Sequence, residues 1–370
     1  MIGFELLVGA ADFWARAAGD IARARRRVLA QAMSFEGDLA GLAVARALTD
    51  SAAADRRVLV DDYTRLNIND RSVRSWTGRP DPALRDEVAA TARMFQDLVV
   101  AGVPVRVTNP VGRFGAGYPA RNHKKLIVAD DVAYLGGINF CEHNYAWHDF
   151  MLRLEGTTAS DFLADDFDAT FSSRARPATA DFAGLGLVSL DGRSNAAALA
   201  PVHRAVAAAK HDITVLSPYL TFPFTDHLAR ARKRGVAVRL ITPWANNKPI
   251  VRDALLIAAE RAGFEIVLMP RMSHLKALLI DRETLVVGSS NFDFVSLAAE
   301  EEVMAIVTDP ALIAEFRDRI IAPALAEALP VGAHRVSRLG GAVSGSALRL
   351  ADVVARRARG WPRTAVDWRD

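Results

Sequence analysis

Two copies of one short pattern carry the residues in this chain that are best suited to chemistry. Each copy reads His, any residue, Lys, four residues, Asp, and the copies occupy residues 123–130 and 274–281. A turn of small residues follows each copy and ends in Asn139 or Asn291. Imidazole can exchange a proton near neutral pH, and ammonium groups can neutralise anionic oxygens. Two such groups of residues suit the cleavage or transfer of a phosphodiester.

The pattern is specific because lysine is rare in this sequence. The chain has 46 basic residues, of which only six are lysine. Each copy nevertheless keeps a lysine two residues after its histidine, at Lys125 and Lys276. Composition alone would produce one such match roughly 0.01 times in a chain of this length. An ammonium is a more compact charge than a guanidinium, so we interpret these lysines as functional.

Composition limits the class of protein. The 370 residues are 51% apolar, which is enough for two lobes with separate cores. The net charge of +3 and the pI of about 9.2 favour anionic partners such as phospholipid or nucleic acid. The single cysteine, Cys141, excludes an intramolecular disulfide and lacks the neighbours of a zinc site. No run of about twenty apolar residues occurs, so we expect any membrane contact to be peripheral.

The arrangement of strands and helices is repeated along the chain. An apolar strand at 57–61, an amphipathic helix near 82–100 and a strand at 101–107 have counterparts at 235–241, 251–262 and 263–268. This alternation predicts an α/β fold of two similar lobes, each a β-sheet flanked by helices. The expected bounds are 1–180 for the first lobe, 181–330 for the second and 331–370 for a basic amphipathic tail, with a linker at 175–192.

The tail has two interpretations. Leu348, Leu350, Val353 and Val354 line one side of a helix here, with arginines around the other. Such a helix can lie on an anionic membrane, or it can cover the core of the second lobe. The glycines near 340–345 make the start of this stretch a poor helix.

Each motif is expected to form a buried strand. Residues two apart share a face of a strand, so His123 and Lys125 point the same way, as do His274 and Lys276. Asp130 and Asp281 complete the motifs at the strand ends, where bracing the next turn is their expected role. A glycine-rich loop at 109–118 precedes only the first motif. It is interpreted either as a lid or substrate contact, or as a tolerated insertion.

At these residues the chain resembles the phospholipase D superfamily, and within it the bacterial cardiolipin synthase type. The paired motifs, Gly-Gly-x-Asn after the first and Gly-Ser-x-Asn after the second carry the resemblance, which covers about residues 10–330. Further similar stretches are residues 147–156, 217–220 and 291–293. The resemblance implies two phospholipase D-type lobes, each with a mixed sheet, packed as a pseudo-twofold sandwich. One departure is Val295-Ser296, where the family usually has Arg-Ser.

The resemblance also implies a mechanism through a phosphohistidine. His123 is the expected nucleophile and His274 the expected acid and base, although the near symmetry of the repeat leaves the reverse assignment open. No metal or other cofactor is expected, because lysines neutralise the phosphoryl charge. The residues expected to hold phosphoryl oxygens are Lys125, Lys276, Asn139, Asn291 and Ser289.

Three further residues are candidates on the same basis. Asp149 and Glu302 lie ten and eleven residues beyond the two asparagines and are expected to orient the histidines. Glu300 and Glu301 compete with Glu302 for that role. Tyr219 is interpreted as a headgroup contact or as a packing residue.

These residues predict a phosphatidyltransferase of the cardiolipin synthase kind that acts on glycerophospholipid. The alternative is a hydrolase, either a phospholipase D or, less favoured, a nuclease, because nucleases of this superfamily are often short single-motif chains. The expected location is the cytoplasm, at the inner face of the membrane. Both motifs are complete, which argues against a non-catalytic membrane-binding protein. The acceptor (lipid hydroxyl, glycerol or water) and the oligomeric state stay open.

Overall fold

The computed structural model of the protein describes residues 2–73, 75, 81–112, 115–334 and 336–369. It divides into two compact units, each built from separate stretches of chain. The first unit comprises Met1–Ala146, Phe150–Arg176 and Trp361–Asp370. The second comprises Trp147–Asp149 and Pro177–Gly360. A tripeptide from the first half of the sequence therefore belongs to the second unit.

The first unit is a mixed sheet with helices. Its described residues form an eight-stranded sheet in the order β1-β9-β8-β7-β2-β3-β6-β18, in which β2, β3 and β6 are parallel neighbours. The strands are β1 (Gly3–Val8), β2 (Arg27–Ala32), β3 (Asp55–Asp61), β6 (Val105–Thr108), β7 (Leu126–Ala129), β8 (Val132–Gly136), β9 (Phe150–Glu155) and β18 (Ala365–Asp367), with a separate hairpin of β4 (Asn67–Ile68) and β5 (Arg71–Ser72). The helices are α1 (Gly9–Arg23), α2 (Leu39–Asp50), α3 (Tyr63–Leu66), α4 (Pro82–Val100), α5 (Glu142–Tyr145) and α6 (Thr157–Phe171).

The second unit follows the same plan. Its described residues form an eight-stranded sheet in the order β10-β11-β17-β16-β15-β12-β13-β14, with β12, β13 and β14 parallel. The strands are β10 (Ala178–Phe182), β11 (Leu185–Ser189), β12 (Asp212–Leu216), β13 (Ala237–Pro243), β14 (Glu265–Met269), β15 (Ala277–Ile280), β16 (Thr284–Gly288) and β17 (Val303–Val307). The helices are α7 (Asn195–Ala198), α8 (Ala200–Ala208), α9 (Phe224–Lys233), α10 (Pro249–Ala262), α11 (Phe294–Ala298), α12 (Pro310–Phe316), α13 (Ala322–Ala326) and α14 (Arg338–Ala358), with a π-helical turn at Arg317–Ile321 and a 3₁₀ turn at Val331–Ala333.

The two sheets share seven strand positions. The order β1-β9-β8-β7-β2-β3-β6 in the first unit matches β11-β17-β16-β15-β12-β13-β14 in the second. In both, the strand after the His-x-Lys residues lies antiparallel beside the first parallel strand, β7 on β2 and β15 on β12. The predicted α/β class and the duplicated mixed sheet are confirmed.

Each unit has its own apolar core, formed where helices cover the sheet. Val28, Val58 and Phe95 are fully buried in the first unit, and Ile213, Leu240 and Val286 in the second. Local signals set the helix ends. The Asp81 carboxylate accepts hydrogen bonds from the first backbone N–H groups of α4, and Gly263 ends α10 with φ of 72°.

Three local predictions differ from the structure. The expected linker at 175–192 contains the β10–β11 hairpin, whose turn uses Gly184 at φ of 77°. The His-x-Lys residues precede β7 and β15, because pairing with β2 and β12 begins only at Leu126 and Ala277. The glycine-containing stretch that begins at Arg338 is helical, since the Ser337 side chain caps it and packing against α10 and α11 stabilises it.

Candidate active site

His274 is held by a carboxylate from a distant part of the sequence. Its Nδ1 lies 2.9 Å from Oδ2 of Asp149, and both side chains are almost fully buried. The ring of Trp147 lies 5.2 Å from the imidazole, centroid to centroid. A carboxylate on Nδ1 fixes the tautomer and leaves Nε2 to exchange a proton with a substrate. The predicted histidine-orienting role of Asp149 therefore has a defined geometry.

Backbone pairing places Asp149 beside its partner. The N–H of His148 donates to the carbonyl of Met272 at 3.1 Å, and the N–H of His274 donates to the carbonyl of His148 at 2.8 Å. The tripeptide 147–149 thus forms a short bridge with residues 272–274. These main-chain hydrogen bonds fix the backbone of Asp149 beside that of His274, so only the Asp149 side-chain torsions remain to place the carboxylate.

The two lysines of the motifs have the same local geometry. Lys276 Nζ donates to the carbonyl of His274 at 2.5 Å, and Lys125 Nζ donates to the carbonyl of His123 at 2.6 Å. Both lysines are completely buried, and both histidines are at most 6% exposed. Each unit therefore holds its motif lysine against the backbone carbonyl of its own histidine.

An aromatic side chain and a second cation lie near His274. The Tyr219 ring is edge-on to the imidazole at 6.0 Å, and its hydroxyl donates to Oδ1 of Asn247. Lys248 Nζ lies 4.4 Å from the centre of the Tyr219 ring. Such a cation–π contact keeps positive charge close to His274. Tyr219 is thus both packed and adjacent to the candidate catalytic group.

Asn291 has an unused polar atom in this unit. Its side chain is buried, and its Oδ1 makes no hydrogen bond with any residue that the structure describes. Its backbone carbonyl accepts from Ser217 Oγ at 2.9 Å, which fixes the turn. The two ends of an amide exchange by a flip of the side chain, so this end can present an N–H to an anion.

Ser289 and Glu302 form a buried hydrogen-bonded pair. Ser289 Oγ donates to Oε2 of Glu302, and Ser296 Oγ donates to Oε1 at 2.8 Å. Ser289 was predicted as a phosphate donor, whereas the structure directs its hydroxyl proton to this carboxylate. Ser296, which the sequence analysis did not select, is a further support. The Asn-x-Asp-x-x-Ser spacing was the signal for it, because Asp293 caps α11 through the backbone N–H of Ser296.

The first unit positions Asn139 through a loop contact. Asn139 Oδ1 accepts from the N–H of Ser34 at 3.1 Å, and its Nδ2 donates to Oδ1 of Asn144 at 2.8 Å. One proton of this amide nitrogen is engaged in the Asn144 hydrogen bond. The second amide proton is the group that the predicted phosphate contact requires.

Two buried ion pairs, which sequence reasoning missed, fix the backbone around His123. Arg121 Nη1 lies 2.8 Å from Oδ1 of Asp61, and Asp61 Oδ2 accepts from the N–H of Asn122 at 2.7 Å. Burial raises the pKa of Asp61 to about 6, although Arg121 opposes the shift. Lys124 Nζ contacts both carboxylate oxygens of Asp166, at 2.7 and 2.8 Å. The two flanks of His123 are therefore anchored to β3 and α6.

The aspartates that end the motifs brace backbone. Asp130 accepts hydrogen bonds from three successive N–H groups, those of residues 25–27, at 2.8 to 3.0 Å. Asp281 accepts from those of residues 210–212 at 2.8 to 3.1 Å. Burial alone raises the pKa of each carboxyl, and these hydrogen bonds outweigh it and lower the pKa below its usual value. Each carboxylate therefore holds the backbone at the start of a central strand, β2 for Asp130 and β12 for Asp281. This is the kind of contact that the predicted bracing role requires.

A separate cluster in the first unit could hold a metal ion. Glu36, Cys141 and His143 bring a carboxylate oxygen, a thiol and an imidazole nitrogen within 4.8 Å of one another. Burial raises the pKa of Glu36 to about 8, and the nearby Asp38 and Glu87 add to the shift. A proton therefore neutralises Glu36 at pH 7, which limits the charge in this cluster.

The loop that precedes the first motif is anchored by a tryptophan. Trp361 Nε1 donates to the carbonyl of Pro110 at 3.1 Å. A Cβ atom on Gly117 would lie 2.4 Å from the indole, so glycine is required there for close packing. Residues 113–114, at the centre of the interval that was interpreted as a lid or an insertion, lie outside the described residues.

Known proteins resemble this chain in sequence and in fold. The profile described as "Cardiolipin synthase, PLD-like domain" matches residues 202–322. Minor cardiolipin synthase ClsB of Bacillus subtilis is 32% identical over 252 residues, which covers 60% of this chain and 61% of the relative. Cardiolipin synthase B of Escherichia coli K12 is 27% identical over 350 residues, or 85% of this chain and 79% of the relative.

A solved structure extends the likeness to the whole fold. The crystal structure of phosphatidylserine synthase from Haemophilus influenzae Rd KW20 matches with a TM-score of 0.71 and 14% identity, covering 97% of this chain and 95% of that one. The duplicated motif and the matched profile make the chain similar to the phospholipase D superfamily. Among known proteins, the similarity in sequence is to bacterial cardiolipin synthases. The chain spans about three fifths of the length of the Bacillus relative.

Proposed function

We propose that this protein is a phosphatidyltransferase of the cardiolipin synthase type. It moves a phosphatidyl group from a glycerophospholipid to an alcohol through a phosphohistidine. The observation that carries the proposal is the buried Asp149–His274 pair, with Lys276 donating to the carbonyl of the same histidine. A buried imidazole oriented by a carboxylate and accompanied by a cation is suited to proton transfer at an anionic ester.

The first step forms a bond between phosphorus and an imidazole nitrogen of His123. The P–O bond to the leaving alcohol breaks, and His274 gives that oxygen a proton from Nε2. Lys125 and Lys276 neutralise the non-bridging oxygens, and the amides of Asn139 and Asn291 donate to them. The buried Asn291 amide, whose Oδ1 makes no hydrogen bond within the described residues, supports this role.

The second step restores the enzyme. The acceptor hydroxyl attacks phosphorus, its proton passes to Nε2 of His274, and the P–N bond breaks. Asp149 stabilises the His274 imidazolium that gives up its proton in the first step and forms again in the second, and Glu302 is proposed as the second histidine-orienting carboxylate. When the acceptor is a lipid hydroxyl, the product is a larger phospholipid. When it is water, the product is phosphatidic acid.

The proposed working place is the cytoplasmic surface of an anionic membrane. Glycerophospholipid, the proposed substrate, resides in membranes, and the net charge of +3 favours an anionic surface. No helix of the described residues is both long enough and apolar enough to cross a membrane.

The proposal is tested with purified protein and three substrates in separate reactions. Cardiolipin formed from phosphatidylglycerol supports transfer, whereas phosphatidic acid alone indicates hydrolysis and cleavage of single-stranded DNA indicates a nuclease. His123→Ala and His274→Ala should each reduce turnover by roughly 10³-fold or more. Mass spectrometry at alkaline pH should find the phosphatidyl adduct on His123 in the His274→Ala variant. An adduct on any other residue would contradict the assignment of the nucleophile.

A further inference from the structure

The outer side of α14 exposes a continuous row of large apolar side chains. We call this row the outer stripe. Its members are separated in sequence by one, three, four or seven residues, so all of them lie on one side of the helix and face solvent. Their exposure ranges from 46% to 78%, far above that of a core residue. The members are Leu339, Val343, Leu350, Val353 and Val354.

The opposite side of the same helix holds it on the second unit. Gly341 is so close to α10 that a Cβ atom there would lie 2.2 Å from Ile257. Ala355 and Ala358 are buried, and α14 packs against α10 and α11. Only the side of α14 that carries Gly341, Ala355 and Ala358 therefore covers the core of the second unit. The two interpretations of this stretch, membrane contact and core cover, apply to different sides of one helix.

The charges around the outer stripe are basic. Arg357 lies seven residues after Leu350 and so on the same side as the outer stripe, although the sequence pattern predicts the arginines on the other side. Arg349 and Arg356, themselves seven residues apart, border one edge of the stripe. The acidic residue of the helix, Asp352, lies away from the stripe and pairs with Arg356 at 2.9 Å. An apolar row bordered by arginines matches a surface that is apolar within and anionic at its face.

Aromatic contacts connect α14 to the segment beside His274. Arg349 lies 4.9 Å from the centre of the Phe222 ring, and Phe222 stacks on Phe294 at 5.2 Å. Phe222 is three residues after Tyr219, whose ring faces His274. Helix α14 therefore contacts the same loop that carries the Tyr219 side chain.

We propose that the outer stripe is the surface by which this protein lies on an anionic glycerophospholipid membrane, with the helix axis in the plane of the interface. A second copy of the chain is the poorer occupant, because pairing two α14 helices would bring the arginines of both together. The proposal of a binding surface rests on the exposed apolar side chains and the positive charges of α14. That the same lipids supply the substrate rests on the proposed function.

The test is vesicle binding by the full-length protein. Wild type should co-sediment with vesicles of phosphatidylglycerol and phosphatidylcholine, and less with phosphatidylcholine alone. The double variant Val343→Glu/Leu350→Glu should bind at least ~10-fold more weakly. The matched control is Val100→Glu, because Val100 is 81% exposed at the end of α4, outside the stripe. Circular dichroism establishes that all three proteins are folded.

Activity measurements separate this proposal from the proposed function. The double variant should keep wild-type turnover on dispersed short-chain phosphatidylglycerol and lose roughly 10-fold on vesicles. If neither substrate is turned over by wild type, the proposed function fails while the binding result still decides the surface. Equal vesicle binding by wild type and the double variant overturns the proposal. So does a loss of self-association, seen by size-exclusion chromatography, with vesicle binding unchanged.

Discussion

Oδ2 of Asp149 lies 2.9 Å from Nδ1 of His274, although the two residues are 125 positions apart in the chain. The carboxylate that follows the first motif in sequence therefore supports the histidine of the second. The backbone bridge between residues 147–149 and 272–274 makes this pairing part of the second unit. The second half of the repeat therefore does not supply all of the groups around its own histidine.

Replacing Asp149 by Asn should reduce kcat by roughly 10²- to 10⁴-fold with a small effect on KM. The amide keeps the shape of the side chain but no longer stabilises the imidazolium of His274. The alkaline limb of the pH–rate profile should move to lower pH, because the charged form loses its counter-charge. Asp165→Asn, an exposed position on α6, is the control and should leave the profile unchanged. A normal profile for Asp149→Asn would show that the contact is only structural.

Lys124 and Lys125 are neighbours, but their substitution should have different effects. Lys124→Met strands the buried Asp166 carboxylate and should lower the free energy of unfolding by about 3–5 kcal/mol. The double variant Lys124→Met/Asp166→Leu removes both charges and should recover most of that loss in urea unfolding. Lys125→Met should abolish turnover in protein that remains folded. Equal stability of the single and double variants would exclude the ion pair as the cause.

Asp281→Asn should destabilise the fold without changing the chemistry. The amide nitrogen would face N–H groups that now donate to a carboxylate, at a cost of about 1–3 kcal/mol. The pKa of Asp281 is lowered in the folded protein, so its stabilisation is present above the unfolded pKa of about 4 and disappears as the pH falls through the folded value. Thermal unfolding at pH 7 and pH 3, with the exposed Glu283→Gln as control, measures the difference. A large fall in kcat at a temperature where the variant is folded would instead assign Asp281 a catalytic role.

Most of the fold could be predicted from the repeated pattern of the sequence. Apolar alternation and glycine turns were sufficient to predict the duplicated sheet. The spacing in the motifs was sufficient to select Lys125 and Lys276 as candidates. Small residues misled at 175–192, where alanine and glycine alternate with apolar residues and pair as the β10–β11 hairpin. Composition resembles that of a linker there, but the backbone hydrogen bonds to β17 decide the outcome.

The partners of the site residues could not be derived in the same way. A sequence shows which side of a strand a residue occupies, but it does not show which distant group fills the space opposite. Asp166 lies 42 positions from Lys124, and no local spacing connects the two. Ser289 was chosen as a donor to phosphate because its hydroxyl was available in principle. Only the tertiary structure shows that Glu302 receives that proton.

Stability should depend on pH through Glu36. Its pKa is raised to about 8 in the folded protein, mainly by burial, against about 4.5 when unfolded. The folded state then holds more protons than the unfolded state between these values, so stability falls as the pH rises from 4.5 to 8 by up to about 1.4 kcal/mol per unit. Glu36→Gln should flatten this dependence and raise the melting temperature at pH 8.5. Parallel curves for wild type and variant would contradict the assignment.

Two glycines of α14 should respond oppositely to alanine. Gly341→Ala places a methyl group 2.2 Å from Ile257 and should separate α14 from α10, lowering the melting temperature. Gly345→Ala meets nothing within 4 Å and should stabilise the helix by about 0.5–1 kcal/mol. Limited proteolysis should cut α14 faster in the first variant only. A similar loss in both would mean that backbone flexibility, and not close packing, accounts for these glycines.

The position of β18 has a consequence for synthesis on the ribosome. This strand pairs with β6 at the edge of the first sheet, yet it is translated after the whole of residues 177–360. Until then the nascent chain carries β6 as an unpaired sheet edge, the kind of surface that recruits other strands and promotes aggregation. Trp361, which packs on Gly112 and Gly117, arrives equally late. The first unit begins to fold early but is completed only by residues that are made after the whole of 177–360, so a translation product that stalls before them leaves the β6 edge exposed to other chains.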